Sequence, residues 1–188
     1  SPDGRQIAYT ATNAAGEAAV WIRSLDSPTS RRIAGTDGAR NPFWSPDSDY
    51  IAFFSNNKLK KIQATGGLAQ TLCDVQSAYG GTWNQYGEIL VSFDTKGIHR
   101  VPAAGGASTQ LFDLDESRRE LAQAWPRFLP DGRHFIYQSW NGRSADSAIF
   151  VASIEGGNRK LLLKADSSPL YAPPGYLLFS RGPTLMAQ

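Results

Sequence analysis

The sequence predicts an all-β fold, a β-propeller of four-stranded antiparallel blades, and three observations carry that expectation. A turn followed by an apolar strand recurs at Ser1-Pro2-Asp3-Gly4 before Ile7-Ala8-Tyr9, at Ser45-Pro46-Asp47-Ser48 before Ile51-Ala52-Phe53, and at Leu129-Pro130-Asp131-Gly132 before Phe135-Ile136-Tyr137, with weaker copies at Asn84-Gln85-Tyr86-Gly87 and Ala172-Pro173-Pro174-Gly175. An aromatic residue stands before the turn at Trp44, Trp83, Phe128 and Tyr171, at intervals of 39, 45 and 43 residues, which is the period of propeller blades. Paired glycines then follow in phase at Gly66-Gly67, Gly105-Gly106 and Gly156-Gly157.

Each element of the unit has a local reason. In the turn, Pro presets φ at the second position, Asp is tolerated at the third and bonds nearby backbone, and Gly closes the fourth. The next runs, 7–10, 51–54, 89–93, 135–139 and 176–179, are rich in β-branched and aromatic residues and read as strands. Second runs at 19–25, 59–64, 97–103 and 148–154 end at the glycine pairs, whose positive φ suits a hairpin. Ser27-Pro28 holds that place in the first copy and calls for a different turn. Third runs at 31–34, 70–73, 108–112 and 159–163 complete four strands per repeat.

Counting from the aromatic position divides the chain into blades at about 1–41, 42–80, 81–124 and 125–168, with 169–188 incomplete. The first copy also lacks its aromatic strand, so three complete blades stand between two incomplete ones. Spacing differences locate two insertions. One lengthens the hairpin at 141–147, and the other, at 113–123, carries a capped helical turn expected over 117–122.

Composition narrows the function. Nineteen basic and 17 acidic residues give a net charge of +2, too balanced for a nucleic-acid stripe, so no nucleic acid is expected. No apolar run approaches the roughly 20 residues that span a bilayer, so this segment is not expected to insert into a membrane. Lys58, Lys60 and Lys61 read as a solvated outer strand. The single cysteine, Cys73, reads as a buried small hydrophobe.

Chemistry is sparse. There is no Gly-x-Ser-x-Gly elbow, phosphate-binding loop, His-Glu-x-x-His or cysteine pair, so neither catalytic residues, metal nor cofactor is expected. His99 and His134 lie far apart in the repeat, and Asp3, Asp47 and Asp131 recur once per blade as turn caps rather than gathering at one point. What remains is surface. Propellers commonly bind at the mouth of the central channel, beside the start of the inner strands. Aligned on the aromatic, Arg40, Tyr79, Ala124 and Ser167 share one layer and Asn41, Gly80, Trp125 and Ser168 the next. Arg40, Asn41, Tyr79, Trp125 and Arg127 are therefore the candidate contacts for a protein or small-molecule ligand, Trp and Arg being enriched in binding hot spots. The competing reading packs Tyr79 or Trp125 between blades.

The pattern of aromatic, Ser-Pro-Asp-Gly, apolar strand and Gly-Gly resembles the TolB-like, WD-repeat-like propeller repeats of bacterial periplasmic and extracytoplasmic proteins, over essentially the whole chain. The closing Pro174-Gly175-Tyr176-Leu177-Leu178-Phe179 is similar to propellers appended to bacterial serine/threonine kinases as sensor regions. The resemblance implies a non-enzymatic binding or sensor module outside the cytoplasm. It also leaves open the gating propeller of a prolyl-oligopeptidase-like peptidase whose catalytic domain lies elsewhere. The incomplete end blades present unpaired strand edges, from which a homodimer of this segment is expected in preference to a closed monomer.

Overall fold

The computed structural model describes residues 1–93, 97–143 and 146–188. Among these, eighteen strands form five antiparallel sheets in which neighbours in sequence are neighbours in space. Strands β1 (Gln6–Thr12), β2 (Ala18–Ser24) and β3 (Ser30–Arg32) make a three-stranded sheet. The next two have four strands each: β4 (Arg40–Trp44), β5 (Tyr50–Ser55), β6 (Lys58–Gln63) and β7 (Gln70–Asp74), then β8 (Ala78–Trp83), β9 (Glu88–Phe93), β10 (Gly97–Pro102) and β11 (Thr109–Gln110). Another four-stranded sheet holds β12 (Ala122–Phe128), β13 (His134–Trp140), β14 (Ala148–Ser153) and β15 (Lys160–Lys164), and β16 (Leu170–Ala172), β17 (Tyr176–Arg181) and β18 (Thr184–Ala187) close the series. These are propeller blades, three with four strands between two with three, as the repeat predicts.

The chain divides into two compact units: residues 1–77 with 82–89 and 101–107, and residues 78–81 with 90–100 and 108–188. In the first, Val20, Ile22, Ile33, Phe53, Ile62 and Ala64 form a core on which Trp44 packs. In the second, Phe128 packs on Leu90, Phe135, Tyr137, Phe150 and Ile154, while Tyr171 packs on Ile136, Ile149 and Phe179. Trp44, Phe128 and Tyr171 thus each pack on a core, and the Trp83 ring lies against Tyr50, ring centroids 6.3 Å apart. Consecutive residues Ile51, Ala52 and Phe53 are all fully buried, because a blade's second strand is covered on both faces. Each large side chain buried this way contributes about 1.5–3 kcal/mol.

The turns behave as their residues require. Ser45 Oγ accepts from Tyr50 N at 2.8 Å, Asp47 Oδ1 accepts from Asp49 N at 3.0 Å, and Ser48 N donates to Ser45 O at 3.1 Å. Asp3 and Asp131 cap in the same way, accepting from Arg5 N and Arg133 N. At Asp131, desolvation pushes the carboxyl pKa up, but hydrogen bonds from the His134 side chain and from backbone N–H groups outweigh it and hold the value at about 2. All six residues of the glycine pairs have positive φ.

Side chains from one blade grip the next hairpin. In the first unit Arg31 donates to Ala64 O at 2.8 Å and to Thr65 O, and Gln70 Nε2 donates to Ala104 O at 3.1 Å. Gly106 N donates to Leu72 O at 3.0 Å.

Four expectations need correction. The helical turn is a single 3-10 turn at Glu116–Arg118 with Asp115 as its cap, and Ala122 already begins β12, because the Asp115 carboxylate accepting from Arg118 N sets the start earlier. The lysines of β6 do not lie on an outer strand, since β7 flanks it; Lys61 Nζ donates to Ala103 O at 2.7 Å and sits 5.3 Å from the Tyr50 ring centroid. Cys73 is half-buried, and desolvation raises its pKa to about 11. The third runs of the first and third blades shorten to three and two residues. The hairpin insertion at 141–147 lies partly outside the described residues.

Candidate binding site at the inner-strand bulges

The first strands of two blades carry the same irregularity. In β4 the pairing passes from Arg40↔Phe54 to Phe43↔Ala52, and in β12 from Ala124↔Gln138 to Arg127↔Ile136, so each accommodates one extra residue in a β-bulge. The residues at these points are Asn41-Pro42 and Trp125-Pro126. Proline has no N–H to give a ladder, and bulges are among the few places in a sheet that tolerate it. Asn41 has φ 48° and Trp125 φ 55°, and Gly80, at the equivalent place in β8, has φ 83°. Asn and Gly reach this left-handed region at low cost, whereas a bulky Trp there is an outlier of the kind that concentrates at functional sites.

In the second unit the parts of the site lie close together. A Cβ built on Gly80 would stand 2.7 Å from Trp125 Cε3 and 3.1 Å from Cζ3, so the indole lies against bare glycine backbone and no other residue fits beneath it. Arg127 donates from its guanidinium to Gly81 O at 3.1 Å, and burial lowers its pKa. Tyr79, adjoining Gly80, is 40% exposed. Trp125 is half-buried, which gives it a packing role on Gly80 beside its place in the candidate layer. In the first unit, Arg40 is exposed and Asn41 half-buried at the β4 bulge. Ala124, of the same layer, is buried.

The strand entering the β12 bulge is fixed by a polar network absent from the sequence reading. Gln123 is fully buried; it accepts from Ile98 N at 3.2 Å and donates to Asp113 O at 3.2 Å and to Glu120 Oε2 at 2.9 Å. Ser92 Oγ donates to Gln123 O. Glu120 Oε2 also accepts from Asp115 N at 2.9 Å and from Arg159 at 3.1 Å. Desolvation would lower the Arg159 pKa, but Tyr137 and Glu120 beside it raise it. The connection 113–121 is thereby anchored to β13 and β15's lead-in, and the bulge is held from both sides. A buried amide leaves no periodic signature, so only the polar residue Gln123 inside an otherwise apolar β12 start hinted at it.

Among the described residues, the two histidines make no pair with a nucleophile beside this site. His134 Nδ1 pairs with Asp131 at 2.5 Å on an exposed turn, and the His99 ring stacks on Phe93 with centroids 4.1 Å apart. No group of three His, Cys, Asp or Glu able to hold a metal occurs among the described residues. Nor, among the described residues, is any helix long and apolar enough to cross a membrane. In the first unit a cleft of about 220 Å³ is lined by Tyr50, Lys61, Gln63, Leu68 and Gln70, but its lysine is committed to Ala103 and the Tyr50 and Trp83 rings.

No family model matches the chain, and no curated protein matches it. Solved structures do. TolB from Acinetobacter baumannii superimposes with a TM-score of 0.77 at 18% identity, over 99% of this chain and 50% of that one. A protein assigned as TolB from Agrobacterium tumefaciens gives 0.74 at 19% identity, over 95% of this chain and 66% of that one. An acylaminoacyl peptidase gives 0.59 at 14% identity, over 93% of this chain and 33% of that one. The chain therefore spans about half to two thirds of the TolB proteins it resembles.

Proposed function

Starting from a chain with the TolB-like β-propeller fold, we propose that it is a non-enzymatic binding module of a bacterial extracytoplasmic protein, taking a peptide or protein segment beside the β12 bulge of the second unit. The observation that carries this reading is Trp125, a bulky residue kept at φ 55° on a bulge, where a less strained residue would serve packing alone. Tyr79 offers exposed aromatic surface next to it, and Arg40 and Asn41, at the β4 bulge of the first unit, are a separate candidate surface of the same kind. The placement outside the cytoplasm rests on the likeness to TolB. The peptidase likeness supports a second reading, a gating propeller that selects what reaches a catalytic domain elsewhere in the parent protein.

Peptides selected by display on the immobilised chain test the first reading. Tyr79 is the clean probe, since it is exposed and Trp125 also packs. Tyr79→Ala should weaken the selected peptides about tenfold with the thermal transition unmoved. Equal binding by the variant, or no enrichment from the library, would remove this surface from consideration.

A further inference from the structure

The cleft of the first unit holds a cation that the repeat does not require. Lys61 and Arg100 take the same place in their blades, paired with Gln70 and Thr109, and Ile22 and Val151 take it in the first and fourth, paired with Arg31 and Lys160. Ile22 is 3% exposed, so an apolar residue serves the blade there. The bonds from Ala64 N to Asp49 O and from Ala103 N to Gly87 O likewise equate Tyr50 with Glu88. The third blade therefore carries an acid at the register place where the second carries an aromatic ring.

Lys61 is accordingly held without a carboxylate. Its Nζ donates to Ala103 O at 2.7 Å and stands 5.3 Å and 5.9 Å from the ring centroids of Tyr50 and Trp83, and no ion pair of Lys61 occurs among the described residues. The carbonyl takes one of the three ammonium protons, and the rings offer only their faces. The cleft of about 220 Å³ opens onto this ammonium, with Tyr50, Gln63, Gln70 and Leu68 around it, which is room for roughly seven waters. Gln70 Nε2 is turned to Ala104 O. Leu68 is 98% exposed, whereas the residues that follow the other paired glycines are Ala107 and Asn158. The lining thus combines one cation with an aromatic and an aliphatic wall.

We propose that this cleft binds a carboxylate carried on a small flat apolar body. The carboxylate accepts from the Lys61 ammonium and supplies the acid that Glu88 places in the third blade's register, while the apolar body lies against Tyr50 and Leu68. A phosphate fits less well, because it calls for several donors and the lining holds one cation. The cleft belongs to the first unit alone and shares no residue with the β12 bulge.

Benzoate is a direct probe. Titrated into the isotope-labelled chain, it should give saturable amide shifts centred on residues 61–70, with a Kd of about 1 mM for so small a ligand. Benzamide, which has the same shape without the charge, should bind about tenfold more weakly. Lys61→Met keeps the stem and should cost about tenfold in benzoate affinity, and Lys61→Arg should restore most of it. Tyr50→Glu, which writes the third blade's acid into the second, should also cost about tenfold with the thermal transition retained. Acetyl-phenylalanine separates two sources of the same chemistry: tighter binding than benzoate assigns the site to the carboxylate end of a chain, weaker binding to a free small acid. Equal binding of benzamide and benzoate by the unaltered chain would overturn the proposal. So would unchanged benzoate affinity in Lys61→Met or Tyr50→Glu, shifts centred elsewhere, or no saturable shift.

Discussion

Replacing Glu120 with alanine tests the network that holds the β12 bulge. Its side chain is 1% exposed and one oxygen, Oε2, accepts three hydrogen bonds, from Asp115 N, Gln123 Nε2 and Arg159. Removing one partner of a buried pair strands the other charge and costs about 3–5 kcal/mol. Arg159 is 19% exposed and has Asp115 at 3.8 Å and the Tyr137 hydroxyl at 3.4 Å to fall back on, which points to the lower end, about 3 kcal/mol. For a chain of this size that corresponds to a fall of roughly 6–12 °C in Tm. Glu120→Gln, which keeps an acceptor, should cost about 1–2 kcal/mol. Arg159→Met should cost about as much as Glu120→Ala, and the double replacement less than the sum, because neither charge is then left alone. Urea and thermal unfolding followed by circular dichroism measure all four. A change under about 1 kcal/mol for Glu120→Ala, or costs that simply add, would refute the reasoning.

Gly80→Ala should destabilise the chain by about 1–3 kcal/mol, since its Cβ would meet Trp125 Cε3 at 2.7 Å and φ is 83°; an unchanged urea midpoint would show that the indole moves freely. The Cys73 thiol, raised to about 11, should react with iodoacetamide at pH 7 far more slowly than a free thiol, and a rate equal to that of glutathione would contradict its burial. Asp131 is depressed from 3.8 to about 2, so its contribution is present above about pH 4 and is lost as the pH falls towards 2. Asp131→Asn should therefore flatten acid unfolding in that window, as read from stability against pH, and an identical acid limb would deny Asp131 this role.

The fold and its sheet order were legible in the sequence because each unit writes its own signals locally. Ser45-Pro46-Asp47 specifies a turn by proline geometry and an aspartate acceptor, and Gly105-Gly106 specifies a hairpin by positive φ. Two residues separate each of those signals from the strand that follows it, β5 and β11, and such strands need only a neighbour in sequence to pair with. The blade's identity survives any neighbour that is itself a blade. The helical turn starts one residue and ends four residues earlier than expected, because the bond from Arg118 N to the Asp115 carboxylate sets its start.

The sequence by itself therefore determined the repeat, the blades, the turns and the layer in which Asn41, Gly80 and Trp125 are equivalent. Tertiary structure alone decided what those residues touch. That Trp125 lies on Gly80, that Arg127 bonds Gly81 and that Glu120 holds Arg159 all depend on contacts between segments some 40 residues apart. The same holds for Ile33 and Leu72, apolar residues two places after Arg31 and Gln70, both of which the structure buries. Local preference fixes a strand and its register through hydrogen bonds to its neighbour. Burial and electrostatics depend on which other blade stands opposite, and one unit of the repeat carries no record of that.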